Sequence, residues 1–261
     1  NVAKEDAKLF SIINKALGLT HLKVVTGDLG ILRSAIDGLE INSRCKNALL
    51  RQLWRPKRFL QVLKYFSNSK SYLNSDKRKL INLLNSGKLI EKLDSYNPII
   101  GLRTKKDIVD RVSELSNDIE YNQLKGSDVK LLKNLLKISC PLSKASKNIK
   151  NLTYSHEYLK KSAILLENRL DCLAELDIDV KKIDFEVSFG RTSMEYYDGF
   201  VFEMGSANKN NSIPFAQGGR YNELTKILSH LEGYEKSPSS VGGIIRPEIL
   251  HSFKLSEGIL L

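Results

Sequence analysis

Cysteine is scarce in this sequence, and its placement excludes two classes of small scaffold. The cysteines are Cys45, Cys140 and Cys172, which are odd in number and far apart. They form no CxxC pair, and no histidine stands at metal-ligand spacing from any of them. A disulfide framework and a zinc motif are therefore excluded, and we expect reduced thiols and no bound metal.

Long apolar runs are also absent. No uninterrupted apolar stretch reaches the length of a membrane span. The first residues, NVAKEDAKLFSIINKALGLT, lack the basic region followed by an apolar region that marks a secretion signal. We therefore expect a cytoplasmic protein that makes no membrane contact. Because the chain starts without Met, we also expect it to begin partway through a longer protein.

Positive charge is in excess and unevenly placed. The 261 residues carry a net charge of +11, and residues 41–160 hold 25 Lys and Arg against 10 Asp and Glu, a balance of +15. Such a segment can indicate a nucleic-acid surface. It is equally typical of a solvated, lysine-rich helical surface, and no RGG, zinc-finger or aromatic-interleaved pattern is present. We therefore do not expect nucleic acid as a partner.

Hydrophobic periodicity divides the chain into three parts. Residues 1–40 predict a helix, a short strand at 21–25, a turn, and a second helix that Asp28 caps, as part of one α/β core. Residues 41–172 predict helices almost throughout, as an insertion segment. Residues 173–261 return to the sheet core, with a period-two strand from Ile183 to Phe189 and a second strand at 200–202. Ser43 is the predicted N-cap of the first insertion helix. Gly18 is the predicted end of the first helix, and Pro247 is the predicted start of the last one.

The chemical signals lie in the last part, in YYDGFVFE at 196–203 and QGGRYNEL at 217–224. Polar side chains that alternate with a buried face predict one polar floor on a sheet. Its candidates are Glu186, Glu195, Tyr197 and Glu203. Carboxylates can bind an amino group or an imidazolium, and tyrosine hydroxyls can select a ring nitrogen.

The loop of the second string allows two interpretations. Gly218 and Gly219 would let backbone amides approach a ligand, and Arg220 could bind a carboxylate in two-point geometry. Alternatively, the tyrosines pack the sheet, the glycines form a turn, and Arg220 closes a salt bridge.

These strings resemble the histidyl-tRNA synthetase family. YYDGFVFE is similar to the histidine-binding signature LDYYTGxVFE, and QGGRYNEL is similar to the GGGRYDxL loop. VGGIIRPEIL at 241–250 resembles the third class II synthetase motif, and the opening through VVTGDLGIL resembles the segment after the second motif. The resemblance covers residues 1–40 and 183–252. It implies an α+β fold with a class II synthetase-like antiparallel sheet flanked by helices, with the N-terminal part of the fold missing.

The departures from the synthetase pattern separate two functions. Thr192 stands where synthetases place an arginine against the adenylate phosphate, and Arg191 is one position early. The third motif reads Arg246-Pro247-Glu248, with arginine before rather than after glutamate, and no anticodon-binding domain follows. A retained histidine pocket without adenylation residues resembles the synthetase-like regulatory subunit of ATP phosphoribosyltransferase.

That resemblance implies a regulatory protein with no catalytic residues and no cofactor, inside a glycosyltransferase complex. It implies histidine as effector, a self-dimer, and a hetero-octamer with a short-form catalytic subunit in the first step of histidine biosynthesis. The implied histidine-binding residues are Tyr196, Tyr197, Gly199, Glu203, Gly218, Gly219, Arg220 and Tyr221. The alternative is the catalytic-domain fragment of a histidyl-tRNA synthetase, which the basic helical segment favours. A synthetase-like sensing domain of a general control kinase is a third possibility.

Overall fold

The structure is a computed structural model in which the described residues form helices and one six-stranded sheet. It describes residues 1–67, 75–95, 103–120, 124–191, 196–206 and 213–259, and the side chains of 117–120 are left aside. None of the described helices has both the length and the apolar character needed to cross a lipid bilayer.

The elements follow one another from an N-terminal helix through a helical middle region to a strand-rich end. Short 3₁₀ helices precede α10 (Glu157–Leu159) and β3 (Val180–Lys182). In chain order the described elements are α1 (Val2–Leu17), β1 (Leu22–Asp28), α2 (Leu29–Asp37), α3 (Ser43–Arg51), α4 (Pro56–Ser67), α5 (Ser75–Asn85), α6 (Leu89–Asp94), α7 (Lys105–Glu120), α8 (Gly126–Leu136), β2 (Ser139–Pro141), α9 (Leu142–Thr153), α10 (Lys160–Ala174), β3 (Ile183–Glu186), β4 (Phe200–Ser206), β5 (Ala216–Arg220), α11 (Asn222–Leu231), β6 (Val241–Ile245) and α12 (Pro247–Ser256).

The sheet is almost entirely antiparallel, with strand order β2-β3-β1-β4-β5-β6. Only β1 and β3 run parallel. The long insertion of helices between β1 and β3 provides the crossover that a parallel pair needs. The antiparallel sheet with flanking helices agrees with the predicted α+β class.

One face of the sheet packs against α1. Phe200 and Phe202 alternate along β4 with residues that point the other way, and both rings contact Phe10 of α1. The Phe10 and Phe202 centroids are 5.2 Å apart, in edge-to-face geometry. Because strand side chains alternate, Val201 and Glu203 lie on the opposite face, which we call the open face.

A buried network of two arginines and two aspartates joins α1, β1, α10 and β5. Asp6 accepts hydrogen bonds at Oδ1 from Arg220 (Nη2, 2.6 Å) and at Oδ2 from Arg169 (Nε, 3.0 Å). Arg169 Nη1 also donates to Asp28 Oδ2 at 2.8 Å, and its guanidinium lies 4.6 Å from the Phe200 ring centroid. The four charged residues are between 0% and 5% exposed. The network therefore joins segments far apart in the sequence at one point beneath the sheet.

Asp28 serves both this network and a helix. Its second oxygen, Oδ1, accepts from the Gly30 amide at 2.9 Å and so caps α2, as the sequence predicts. Burial opposes the charged form of Arg169, but the carboxylates of Asp28 and Asp6 raise the pKa of its guanidinium. The two aspartates therefore favour the charged form of Arg169, whereas burial raises the pKa of the Asp6 carboxyl despite the nearby arginines.

The residues 39–130 form a compact unit with its own small core. Ile81 of α5, Leu89 of α6 and Val112 of α7 are buried together, and partly buried aliphatic side chains surround them. The other unit consists of residues 1–38 and 131–261. The structure thus groups residues 131–172 with the sheet, whereas the sequence-based division places them in the helical segment. The reason is that β2 pairs with β3 and α10 packs on α1.

Two local predictions need correction. The N-cap of α3 is Asn42, whose side chain accepts from the Cys45 amide at 2.7 Å, and Ser43 is the first helical residue. The strand predicted from Ile183 to Phe189 ends at Glu186, because the Phe189 amide turns back to the Glu186 carbonyl at 3.0 Å. The predicted ends at Gly18 and Pro247 are confirmed: Gly18 closes α1 with φ 61°, and Pro247 opens α12.

We expect Asp6→Asn to lower the free energy of unfolding by about 3–5 kcal/mol, since it leaves two buried arginines short of one negative charge. Chemical denaturation at neutral pH measures this loss. Glu5→Gln is the matched control, because Glu5 is the neighbouring exposed carboxylate on α1 and its exposed pair with Lys8 contributes under about 1 kcal/mol. Equal effects of the two substitutions would contradict the role of the network.

Candidate functional site

The open face of the sheet carries a row of side chains across four strands, which we call the polar row after its two central residues, Glu203 and Gln217. The strand register places Val25 of β1, Glu203 of β4, Gln217 of β5 and Ile244 of β6 side by side. Arg246, just after β6, donates from Nη2 to the Gln217 side-chain oxygen at 3.0 Å. Its Nη1 donates to the Pro214 carbonyl at 3.1 Å. The row thus brings a carboxylate, an amide and a guanidinium to the same part of the sheet.

Glu203 is the half-buried carboxylate of this row. Among the described residues, none donates a hydrogen bond to it. Burial raises the pKa of its carboxyl, and the charges of Arg246 and Lys23 act in the opposite direction. A carboxylate with unused acceptor capacity in such surroundings can bind a positively charged ligand group.

Three tyrosines cluster on the same open face. The rings of Tyr196 and Tyr197 have centroids 4.2 Å apart, and Tyr221 lies 6.3 Å and 6.1 Å from them. Tyr196 donates its hydroxyl proton to the Tyr197 oxygen at 3.1 Å, and Tyr197 donates to the Gly242 carbonyl at 3.4 Å. Tyr197 is 1% exposed and Tyr196 is 45% exposed. Burial, reinforced by Tyr196, raises the pKa of the Tyr197 hydroxyl, which stays protonated at physiological pH.

The glycine pair of β5 makes room for aromatic rings. A Cβ on Gly219 would lie 2.9 Å from the Tyr197 ring and 2.5 Å from the Phe200 carbonyl oxygen. A Cβ on Gly218 would lie 2.6 Å from the Phe202 ring, on the side that faces α1. The two glycines therefore serve opposite faces of the sheet. Each glycine leaves free the space that a ring of YYDGFVFE occupies. The packing of the first string therefore depends on the glycines of the second.

Gly242 of β6 repeats the arrangement. It pairs with Gly219, and a Cβ on it would lie 2.8 Å from the Tyr221 hydroxyl. Tyr197 and Tyr221 are thus seated over glycines of the sheet, and Tyr196 packs against Tyr197.

Arg220 forms the salt bridge of the second interpretation. Its Nε and Nη2 both donate to Asp6, and its Nη1 donates to Ser239 and Asn222. The side chain is 5% exposed. Two-point binding of a ligand carboxylate by Arg220 would require this ion pair to break. The ion pair instead fixes the backbone beside the next residue, Tyr221.

Asp198 and Gly199 hold the turn that precedes β4. The Asp198 carboxylate accepts from the Glu223 amide and so supports the start of α11, and the Asp198 amide donates to the Arg220 carbonyl at 2.8 Å. The Gly199 carbonyl accepts from the Leu29 amide at 2.9 Å. The structure thus places Gly199 in backbone contact with α2, where it fixes the turn that carries the tyrosines.

The remaining predicted residues are dispersed or lie outside the description. Glu186 is on β3, and β1 separates that strand from β4. Thr192 and Glu195 fall in 192–195, outside the described residues. Arg191 is buried, and burial lowers the pKa of its guanidinium to about 10.

Sequence reasoning missed Asp6 and Gln217. Asp6 could have been found as a carboxylate within the apolar face of α1, whereas nothing in the sequence singles out Gln217.

Comparison with known proteins agrees with the motifs. The chain is 27% identical over 242 residues to an ATP phosphoribosyltransferase regulatory subunit of Allorhizobium ampelinum, and 25% identical over 244 residues to that of Brucella anthropi. The resemblance to ATP phosphoribosyltransferase regulatory subunits is confirmed. These matches cover 87% and 88% of this chain but 63% of each relative, so the chain spans less than two thirds of the regulatory subunits it matches. No protein-family profile matches the chain.

Solved structures confirm the synthetase-like fold. The chain superposes with a TM-score of 0.53 on a Bacillus halodurans protein described as an ATP phosphoribosyltransferase regulatory subunit/histidyl-tRNA synthetase, at 18% identity. It superposes with a TM-score of 0.55 on histidyl-tRNA synthetase from Nostoc, at 17% identity. The matches cover 96% and 99% of this chain and 50% and 48% of those chains.

We expect Gly219→Ala to lower the free energy of unfolding by about 1–3 kcal/mol, because the added methyl meets backbone and ring atoms that must shift. Thermal unfolding measures this. Gly126→Ala is the control, since nothing lies within 4 Å of its added methyl and it opens helix α8. We expect that control to be neutral or slightly stabilising.

The raised pKa of Glu203 predicts a pH-dependent effect of Glu203→Gln. A carboxyl whose pKa is higher in the folded than in the unfolded protein stabilises the fold at low pH, and this contribution is lost as pH rises through the folded pKa. Glutamine cannot ionise. The stability of the variant minus that of the wild type should therefore increase between about pH 4 and pH 7, bracketing the ordinary range for glutamate. Denaturation at several pH values without ligand checks this, and a difference that falls with pH would refute it.

Proposed function

We propose that this chain is the core of a non-catalytic regulatory subunit of ATP phosphoribosyltransferase and that it binds histidine on the open face. Two observations support the proposal together. The curated relatives that match most of the chain bear that name. The observation that supports ligand binding is the state of the Glu203 carboxylate. It accepts no hydrogen bond from any described residue, and it lies on the same face of the sheet as the tyrosine cluster.

The chemistry of the open face suits histidine. Glu203 would accept from the α-amino group or the imidazolium, either of which is a charge-assisted hydrogen bond. The hydroxyl of the half-exposed Tyr196 would contact a ring nitrogen, while Tyr197 remains protonated. In this proposal Gly199, Gly218, Gly219, Arg220 and Tyr221 shape the site by seating the tyrosines.

The partner of such a subunit would be the short-form catalytic subunit, in a cytoplasmic hetero-octamer that contains dimers of the regulatory chain. The complex would carry out the first step of histidine biosynthesis, a glycosyl transfer. Histidine would be its feedback effector, and the unit 39–130 would be the compact part of an insertion into the synthetase-like core. Reciprocity requires that the catalytic partner change histidine affinity by the same factor that histidine changes assembly.

A catalytic histidyl-tRNA synthetase fragment is the competing proposal. The basic composition of residues 41–160 and the fold shared with the Nostoc enzyme favour it. Against it stand Thr192, at the place of an adenylation arginine, and the order of Arg246 and Glu248. Histidine-dependent exchange of pyrophosphate into ATP distinguishes the two, because only a synthetase forms the adenylate.

We expect the full-length protein that contains this chain to confer activity and histidine inhibition on the short-form catalytic subunit. Histidine should bind it, as measured by calorimetry, and Glu203→Gln should weaken binding at least about tenfold by removing a charge-assisted hydrogen bond. Asp184→Asn is the control, since it neutralises an exposed carboxylate on the same sheet with β1 between its strand and β4.

The outcomes separate the alternatives. If the catalytic subunit is equally active with and without the full-length protein, the regulatory role is rejected. Histidine binding with pyrophosphate exchange would favour the synthetase. Equal loss of binding in Glu203→Gln and Asp184→Asn would place histidine elsewhere.

A further inference from the structure

The unit 39–130 contains an arginine-lined cavity that the proposed histidine site does not use. It has a volume of about 540 Å³, within the range of small-molecule sites. Arg44, Arg51 and Arg111 line it, together with Asn47, Ala48 and Glu114. We propose that this cavity binds a small phosphorylated ligand that also carries a hydroxyl group. The described residues that line it belong to one compact unit, so the proposal is independent of the histidine site.

One face of α3 forms a wall of the cavity. Arg44, Asn47, Ala48 and Arg51 recur at i, i+3, i+4 and i+7, which places them on the same side of the helix. A core-facing helix would carry apolar residues at these positions, and the small Ala48 leaves space between the two arginines. The opposite side of α3 supplies the buried contacts through Cys45 and Leu49. The polar face is therefore turned to the cavity.

The charge distribution favours an anion. Among the described residues, neither Arg51 nor Arg111 forms an ion pair or donates a side-chain hydrogen bond. Arg44 lies in the first turn of α3, which has no acidic residue, although the helix dipole favours negative charge there. Among the described residues that line the cavity, Arg51 and Arg111 alone outnumber the one carboxylate, Glu114, so this lining is positively charged. Guanidinium groups match phosphate oxygens in paired geometry, so phosphate is the anion that fits best.

Glu114 narrows the class of ligand. A carboxylate would repel a second anionic group but would accept a hydrogen bond from a hydroxyl. A phosphorylated sugar supplies both groups. A nucleic-acid strand is less suited, because its binding surfaces combine basic grooves with aromatic stacking platforms, and no aromatic residue is among the described residues that line this cavity.

Calorimetry with ribose 5-phosphate and with inorganic pyrophosphate tests the site in the complete chain. We expect both to bind, more weakly at high salt, and Arg51→Gln or Arg111→Gln to weaken binding by about 10- to 100-fold, the loss of a charged hydrogen bond. Arg58→Gln is the control, since Arg58 is exposed on α4 and does not line the cavity.

Glu114→Gln should change the affinities for the two probes by different amounts, which a general effect of surface charge would not do. Removing the repulsive carboxylate should tighten pyrophosphate severalfold, whereas ribose 5-phosphate should gain less because it loses a hydroxyl acceptor. No binding of either probe tighter than about 10 mM would overturn the proposal. So would equal losses in Arg51→Gln and Arg58→Gln. Tight binding of a short RNA hairpin that both of these variants weaken would instead assign the basic charge to a nucleic-acid surface.

Discussion

The buried network of Asp6, Arg169, Asp28 and Arg220 is the interaction on which the sheet unit depends. Burying four charges is unfavourable unless each finds a partner, and here both oxygens of Asp6 and of Asp28 accept hydrogen bonds. The network requires α1, α10 and the ends of β1 and β5 to meet with correct geometry. A hydrophobic contact would tolerate small displacements, whereas these paired hydrogen bonds do not. They therefore fix the helices against the sheet and, through Arg220, fix the start of α11.

The arrangement of side chains on the open face depends on this network. Arg220 is followed directly by Tyr221, and its carbonyl binds the amide of Asp198 in the turn after the tyrosine pair. Tyr197 and Tyr221 rest on glycines of β5 and β6, so that the two sequence strings form one packing unit. What is left for a ligand is the polar row beside them, where Glu203 has acceptor capacity that the described protein does not use. The two motifs therefore contain both residues that hold the structure together and residues that can contact a ligand.

The helical segment repeats this division at a smaller scale. Its compact unit buries an apolar cluster of α5, α6 and α7, and α3 uses one side for packing. The other side of α3 presents arginines to a cavity. A positive balance that looks like a uniform solvated surface in the sequence is concentrated, at this place, into a concave group of guanidiniums. Composition alone could not reveal this, because it does not specify which charges converge.

The sequence by itself determined the class of fold, the helix ends at Gly18 and Pro247, the Asp28 cap and the family resemblance. These follow from local conformational preference and from short strings, both of which are encoded by neighbouring residues. It could not determine that Arg220 pairs with Asp6, since 214 positions separate them in the chain. Nor could it show that Gly218 and Gly219 serve rings on opposite faces, or that residues 131–172 belong to the same compact unit as the sheet. Only the tertiary structure decided these points, because each depends on which distant segments pack together and therefore on which partner a polar or small residue meets.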